Sequence, residues 1–394
     1  MYRSGVVPDA LAKQNRGMQT AIPCLFMRGG TSRGPFFLES DLPADTVTRD
    51  RVLLAIMGSP DKRQIDGLGG AHPLTSKVGI VRRSQQPGVD LDFLFAQLQP
   101  DNDTVDTTPN CGNMLAAVVP FALERGIARP RGESTTLRVL TLNTDMQCDI
   151  TVQTPGGAVR YDGEARIDGV PGTSAPITID FLDTAGSIAA SLLPTGRVLD
   201  PVRVEPNDKL GAFEPFEIEV TCIDNGMPLV IMRACDMGRT GYESVAQLNA
   251  DTELKIRLEA LRIRSGHLMG LGDVSAKNYP KMTLIAAPQH GGALATRSFI
   301  PHVCHDAIGV LAAVTVGTAC VLEGSVCQGI AVMPAGDTKT VSVEHPTGEF
   351  SVELGLHPSD AQKVTRAALL RTARLIMRGE VMIPSSIWKQ GHKL

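Results

Sequence analysis

No Cys-x-x-Cys pair occurs among the eight cysteines, which stand apart at 24, 111, 148, 222, 235, 304, 320 and 327. Spacing of that kind gives no disulfide framework, so free thiols in a reducing compartment are expected, with the cytoplasm as the location. Net charge is also scarce: 38 Lys+Arg against 42 Asp+Glu leave −4, and no run of five like charges appears. A basic stripe for nucleic acid is thereby excluded. The longest uncharged apolar run, residues 307–322, falls short of the roughly 20 residues a membrane-spanning helix requires. It is broken by Gly309, Thr315, Gly317 and Thr318, so it reads as a buried core helix and no membrane partner is expected. Residues 1–17 lack the apolar stretch of a signal peptide and are expected to form a flexible extension ahead of Met18. What remains, 394 residues at 43% hydrophobic and 20% charged, has the composition of a soluble globular chain of about two to three domains.

An internal repeat organises that chain. A strand-like run at 22–27, the turn Arg28-Gly29-Gly30-Thr31-Ser32-Arg33-Gly34 and a second run at 35–38 recur in kind at 217–223, Asp224-Asn225-Gly226-Met227-Pro228 and 229–232. Each half then carries an amphipathic helical segment, Arg49 to Met57 and Ser244 to Arg264. A glycine-rich loop ending in lysine follows each, one from Gly67 to Lys77 and one from Gly270 to Lys281. Finally each half has a helix almost without charge, expected to begin at Cys111 in one and at Cys304-His305-Asp306 in the other. A helix apolar on all sides must be enclosed. The strand signals at 136–141, 147–153, 158–167, 340–344, 349–354 and 374–383 are expected to wrap them. The implied fold is α+β, two pseudo-symmetric domains over 18–200 and 201–394, each a curled, mostly antiparallel sheet around a central hydrophobic helix, joined by a linker at 193–206.

Asn110-Cys111-Gly112-Asn113 sets a thiol where a helix starts, among unpaired N–H groups and the positive end of the helix dipole. That is a place for a reactive thiol or a bound anion; a small buried cysteine with Asn110 as N-cap fits the local sequence equally well. His302, Cys304 and His305 have no second ligand pair to complete a metal site, so no metal is expected. Gly29-Gly30-Thr31-Ser32 and Gly69-Gly70 match neither phosphate-loop pattern, so no nucleotide is expected.

Met-Arg-Gly-Gly-Thr-Ser at 27–32, Gly-Ser-Pro-Asp at 58–61, Gln-Ile-Asp-Gly at 64–67, Leu-Thr-Ser-Lys at 74–77 and Asn-Cys-Gly-Asn at 110–113 resemble the 2-methylaconitate isomerase (PrpF) family. The resemblance runs from Met18 to Trp388 and is nearest the 4-oxalomesaconate tautomerases and isomerases of gallate and protocatechuate degradation. It implies the diaminopimelate-epimerase-like fold and a cofactor-independent shift of a double bond in a small unsaturated tricarboxylate. Such a shift needs one acid and one base. The resemblance makes Lys77 and Cys111 the two proton-transferring groups, with the N–H groups of Gly112 and Asn113 holding a carboxylate or the developing enolate oxygen. Arg28, Thr31, Ser32, Ser76, Asn110, Lys281, Arg297, Ser298 and His305 complete the expected substrate-binding set, Arg because its planar fork matches a carboxylate. Lys77 as a permanently charged carboxylate clamp stays open. So do a two-thiol epimerase using Cys111 and Cys304, a relative acting on 2-methylaconitate or methylitaconate, and a non-catalytic polycarboxylate binder, with a homodimer as one open assembly.

Overall fold

The computed structural model describes residues 18–182, 184–206, 213–335, 338–357 and 360–389; the expected extension at 1–17 lies outside them. The described residues part into two compact units: those of 18–166, Gly172–Ile177 and 371–389 form the first, and those of Ile167–Pro171 and Thr178–Leu370 the second.

In the first unit, β1 (Gln19–Gly29) turns through Gly30 into β2 (Ser32–Leu38). Helix α1 (Thr46–Met57) follows, capped by the Asp45 carboxylate on the Thr48 N–H and closed by Gly58 in the left-handed conformation. Then come β3 (Lys77–Arg83), β4 (Leu91–Leu98), the short β5 (Val105–Asp106), α2 (Gly112–Leu115), α3 (Val118–Glu124), β6 (Ser134–Thr141) and β7 (Met146–Gln153). β1 and β2 are antiparallel, β2 and β3 parallel, β3 and β4 antiparallel, β4 and β6 parallel, β6 and β7 antiparallel. In the second unit, β8 (Ile177–Phe181), β9 (Asp200–Val204), β10 (Phe216–Asp224) and β11 (Pro228–Arg233) precede α4 (Val245–Ala250) and α5 (Thr252–Leu268). After these come β12 (Lys281–Ala286), β13 (Leu294–Phe299), α6 (Val310–Val321), β14 (Thr338–His345), β15 (Gly348–His357) and β16 (Asp360–Arg371).

From β10 to β15 the pairings repeat the first unit in the same order: antiparallel, parallel, antiparallel, parallel, antiparallel. This is the duplicated α+β architecture expected from the sequence. The expected helix from Cys111 is broken into α2 and α3, and the apolar helices of each unit pack against strands of that unit. Ala312 to Ala319 of α6 are fully buried, and the helix packs on β10, β11, β14 and β15; α2 packs on β1 and β2, and α3 on β3 and β7. Buried through their central residues, these helices are held by apolar burial rather than by polar patterning. A second apolar layer in the first unit joins Val52, Leu53, Ile56 and Met57 of α1 to Ile22, Phe37, Val78 and Ile383.

Several boundaries differ from expectation. The compact units differ from halves divided at residue 200: the chain passes between them over 166–178, and β17 (Ala373–Pro384) belongs to the first, pairing antiparallel with β1 from Gln19↔Pro384 to Gly29↔Ala373. The expected linker at 193–206 contains β9, which is antiparallel to β10 and buries Val202 and Val204. The expected strand at 158–167 is turn and loop with one bridge, Ala165↔Ser174. The helix at 244–264 is two, with Ser244 capping α4 and Asp251 capping α5.

Candidate active site

Lys77 is the first residue of β3 and Cys111 caps α2, and the sheet brings their heads together: Lys77 Nζ lies 3.3 Å from Cys111 Sγ. Both residues are only 8% exposed. The lysine amine also stands 5.4 Å from the centroid of the Phe95 ring on β4, a face that favours a cation. Cys111 is fixed from the other side by its neighbour, since its N–H donates to Asn110 Oδ1 at 2.9 Å. The Asn110 amide nitrogen in turn reaches Thr141 Oγ1 at 3.3 Å. Gly112 and Asn113 follow at the start of α2, where N–H groups have no acceptor inside the helix.

The β1–β2 turn closes over this helix start. Asn113 Nδ2 donates to Thr31 Oγ1 at 2.9 Å, and its Oδ1 accepts from Arg371 Nε at 3.2 Å. Gly30, at φ 52°, is required here: a Cβ would stand 2.2 Å from Asn113 Oδ1. Gly34 serves Lys77 in the same way, because a Cβ on it would lie 1.8 Å from the Lys77 carbonyl oxygen. Gly34→Ala is therefore expected to push β3 outward and lower stability by about 1–3 kcal/mol, read from urea unfolding. Wild-type stability in that variant would show that β2 and β3 have room to spare.

Arg28 lies beside this turn with neutral acceptors: Nη1 donates to the Gly30 carbonyl at 2.9 Å and to Thr372 Oγ1 at 2.9 Å, and Nη2 to Ser174 Oγ at 3.3 Å. Burial, then the neighbouring Arg374 charge, hold its pKa below the ordinary arginine value. No carboxylate among the described residues forms an ion pair with it. Ser32 Oγ is buried without a hydrogen-bond partner. Ser76, expected as a ligand, is fully buried, and its hydroxyl points to Gln64 Oε1 and the His72 carbonyl, each at 2.9 Å. It holds the loop.

In the second unit Lys281 opens β12 as Lys77 opens β3, and burial lowers its pKa. Its Nζ lies 3.6 Å from where a Cβ on Gly309 would stand. Gly309, not Cys304, is the N-cap of α6. Cys304 forms a bridge with Phe299 and its N–H donates to Asn249 Oδ1 at 2.7 Å, so this stretch extends the β13 turn instead of starting a helix. Burial pushes the Cys304 thiol up to about 11 despite Arg297 nearby. Ser298 Oγ is paired with Thr283 Oγ1 at 2.9 Å. Arg297 donates to the Glu243 and Thr296 carbonyls, each at 2.8 Å. His305 Nδ1 accepts from the Ala307 N–H at 2.8 Å, which places the proton of the neutral ring on Nε2. Among the described residues no group of three or more His, Cys, Asp or Glu side chains is placed to hold a metal ion, and no helix is long and apolar enough to cross a membrane.

Sequence reading missed Arg371, Thr372 and Ser174, which surround Arg28 and Asn113 from far along the chain. The one local signal was the basic pair in Arg371-Thr372-Ala373-Arg374.

The PrpF protein family matches residues 19–384. The chain is 52% identical to the (4E)-oxalomesaconate Delta-isomerase of Novosphingobium sp. (strain KA1), covering 95% of this chain and 100% of that one. It is likewise 52% identical to the 4-oxalomesaconate tautomerase of Pseudomonas putida, over 94% of this chain and 98% of that one. A solved methylitaconate-delta-isomerase superposes with a TM-score of 0.80 at 34% identity, covering 95% of this chain and 98% of that one. Matched over nearly its whole described length and akin to isomerases throughout, the chain belongs to the PrpF family and is an isomerase.

Proposed function

We propose that the protein moves a carbon–carbon double bond in an unsaturated oxo-tricarboxylate of the 4-oxalomesaconate type, with Lys77 and Cys111 as its two proton-transferring groups and no cofactor. The observation that carries this reading is the 3.3 Å contact between Lys77 Nζ and Cys111 Sγ at a helix start. A substrate of this class has an acidic C–H conjugated to a carbonyl and carboxylates. The Lys77 amine removes that proton, the electron pair spreads over the conjugated system as a dienolate, and the N–H groups of Gly112 and Asn113 stabilise the oxygen that gains charge. Cys111 delivers a proton to a different atom, a carbon in the allylic shift or the oxo oxygen in the tautomerisation, and the double bond has moved. Contact between the two heads lets the proton pass back from amine to sulfur, restoring both for the next turnover. Arg28 binds one of the carboxylates.

Two relatives of equal identity carry the names isomerase and tautomerase, so both an allylic shift and a keto–enol exchange fall within this reading. Incubation with 4-oxalomesaconate in deuterated water, followed by NMR, separates them. The expected result is deuterium incorporation together with a shifted double bond or a new enol, undiminished after exhaustive EDTA treatment. Binding without exchange, or activity lost on chelation and restored by zinc, would contradict the proposal.

A further inference from the structure

The loop between α1 and β3 ends in Lys77, and Gln64 holds it from inside. Gln64 is 1% exposed and sits at φ 48°, in the left-handed region, as does Ala71 at φ 57°. Neither is glycine, so contacts elsewhere must offset the strain of both conformations. The Gln64 carboxamide provides them. Its Oε1 accepts from the Ala71 N–H at 2.8 Å and from the Ser76 hydroxyl at 2.9 Å. Its Nε2 donates to Ser59 Oγ at 3.1 Å, and the Ser59 hydroxyl donates to the Gln99 carbonyl at 2.8 Å. The amide cannot be turned over, because the Ala71 N–H is only a donor and demands an oxygen. Ser76 is the residue before Lys77, and its own carbonyl accepts the Leu98 N–H at 2.9 Å. One buried carboxamide thus ties the start of the loop, its strained middle and the residue preceding the lysine.

We propose that Gln64 is a positioning residue for the reaction: through Ala71 and Ser76 its carboxamide sets the Lys77 amine at contact distance from Cys111. The turnover part of the test rests on the function proposed above; the thiol-reactivity part does not. Gln64→Leu keeps bulk and removes both acceptor and donor. Displacing Lys77 by a fraction of its contact distance should lower kcat by about tenfold to a hundredfold, while KM moves little because Lys77 is not the group that binds the carboxylates.

Alkylation of Cys111 by iodoacetamide, followed by mass spectrometry without substrate, reads the same contact. Lys77→Met defines the rate for a thiol without its amine, and Gln64→Leu should move from the wild-type rate toward that value. Gln64→Glu keeps the oxygen that Ala71 and Ser76 require and should recover most of both quantities. Ser76→Ala removes a single hydroxyl and should shift both in the same direction by a smaller factor, which decides the matter if Gln64→Leu does not fold. Wild-type alkylation and kcat in Ser76→Ala, or in a folded Gln64→Leu that has lost only Tm, would overturn the proposal. Absence of turnover in the wild type would sink the substrate assignment and leave the alkylation result to decide the role of Gln64.

Discussion

Lys77→Met is expected to lower kcat by about a thousandfold or more, since removing a group that transfers a proton in the transition state costs roughly 10²- to 10⁴-fold. KM should change far less, because the proposed reading gives the carboxylates to Arg28 and to N–H groups. Deuterium exchange into the substrate should vanish with turnover, for without the first proton transfer no dienolate forms. Lys77→Arg should not restore it: a guanidinium stays protonated and cannot act as a base. The reading of Lys77 as a charged clamp predicts the reverse pattern, a raised KM with kcat nearly intact and Arg as a fair substitute. Steady-state kinetics of the two variants separate these cases.

Cys111→Ser should be comparably damaging, and Cys304→Ser should not. Serine keeps the shape of cysteine but offers a far less acidic proton, so product formation falls while some exchange at the carbon addressed by Lys77 persists. Cys304 has a different setting. Burial holds its thiol near 11, its backbone N–H is taken by Asn249, and it lies upstream of Gly309, where α6 is capped. A two-thiol epimerase would need Cys304 as much as Cys111. Equal losses of kcat in the two serine variants would therefore favour that mechanism over the one proposed.

The repeat was legible because it is written in local chemistry: glycines between two apolar runs, a loop ending in lysine, and an uncharged helix occur in both halves, and all of these are short-range patterns. Lys77 and Cys111 were singled out through motifs that resemble a family, and the structure sets their heads 3.3 Å apart. What was hidden depends on long-range pairing. No local signal tells the strand at 373–384 to lie along β1, yet that pairing takes the last strand away from the second unit. Arg371 meets Asn113 across 258 positions of sequence, a separation that periodicity cannot bridge. The start of α6 was misplaced because Cys304-His305-Asp306 mimics a helix start by composition, whereas the Ser298 carbonyl accepts from the His305 N–H and keeps that stretch with β13, and the Asn249 side chain accepts from the Cys304 N–H. Gln64 was quoted only as part of a motif; a left-handed conformation at a glutamine leaves no mark in the sequence.

Proton traffic through the Lys77–Cys111 pair is tested most directly by NMR of the substrate in deuterated water with wild type, Lys77→Met and Cys111→Ser side by side. The account predicts exchange with double-bond migration in the wild type, neither in Lys77→Met, and residual exchange without migration in Cys111→Ser. Near-normal migration in Lys77→Met would contradict it.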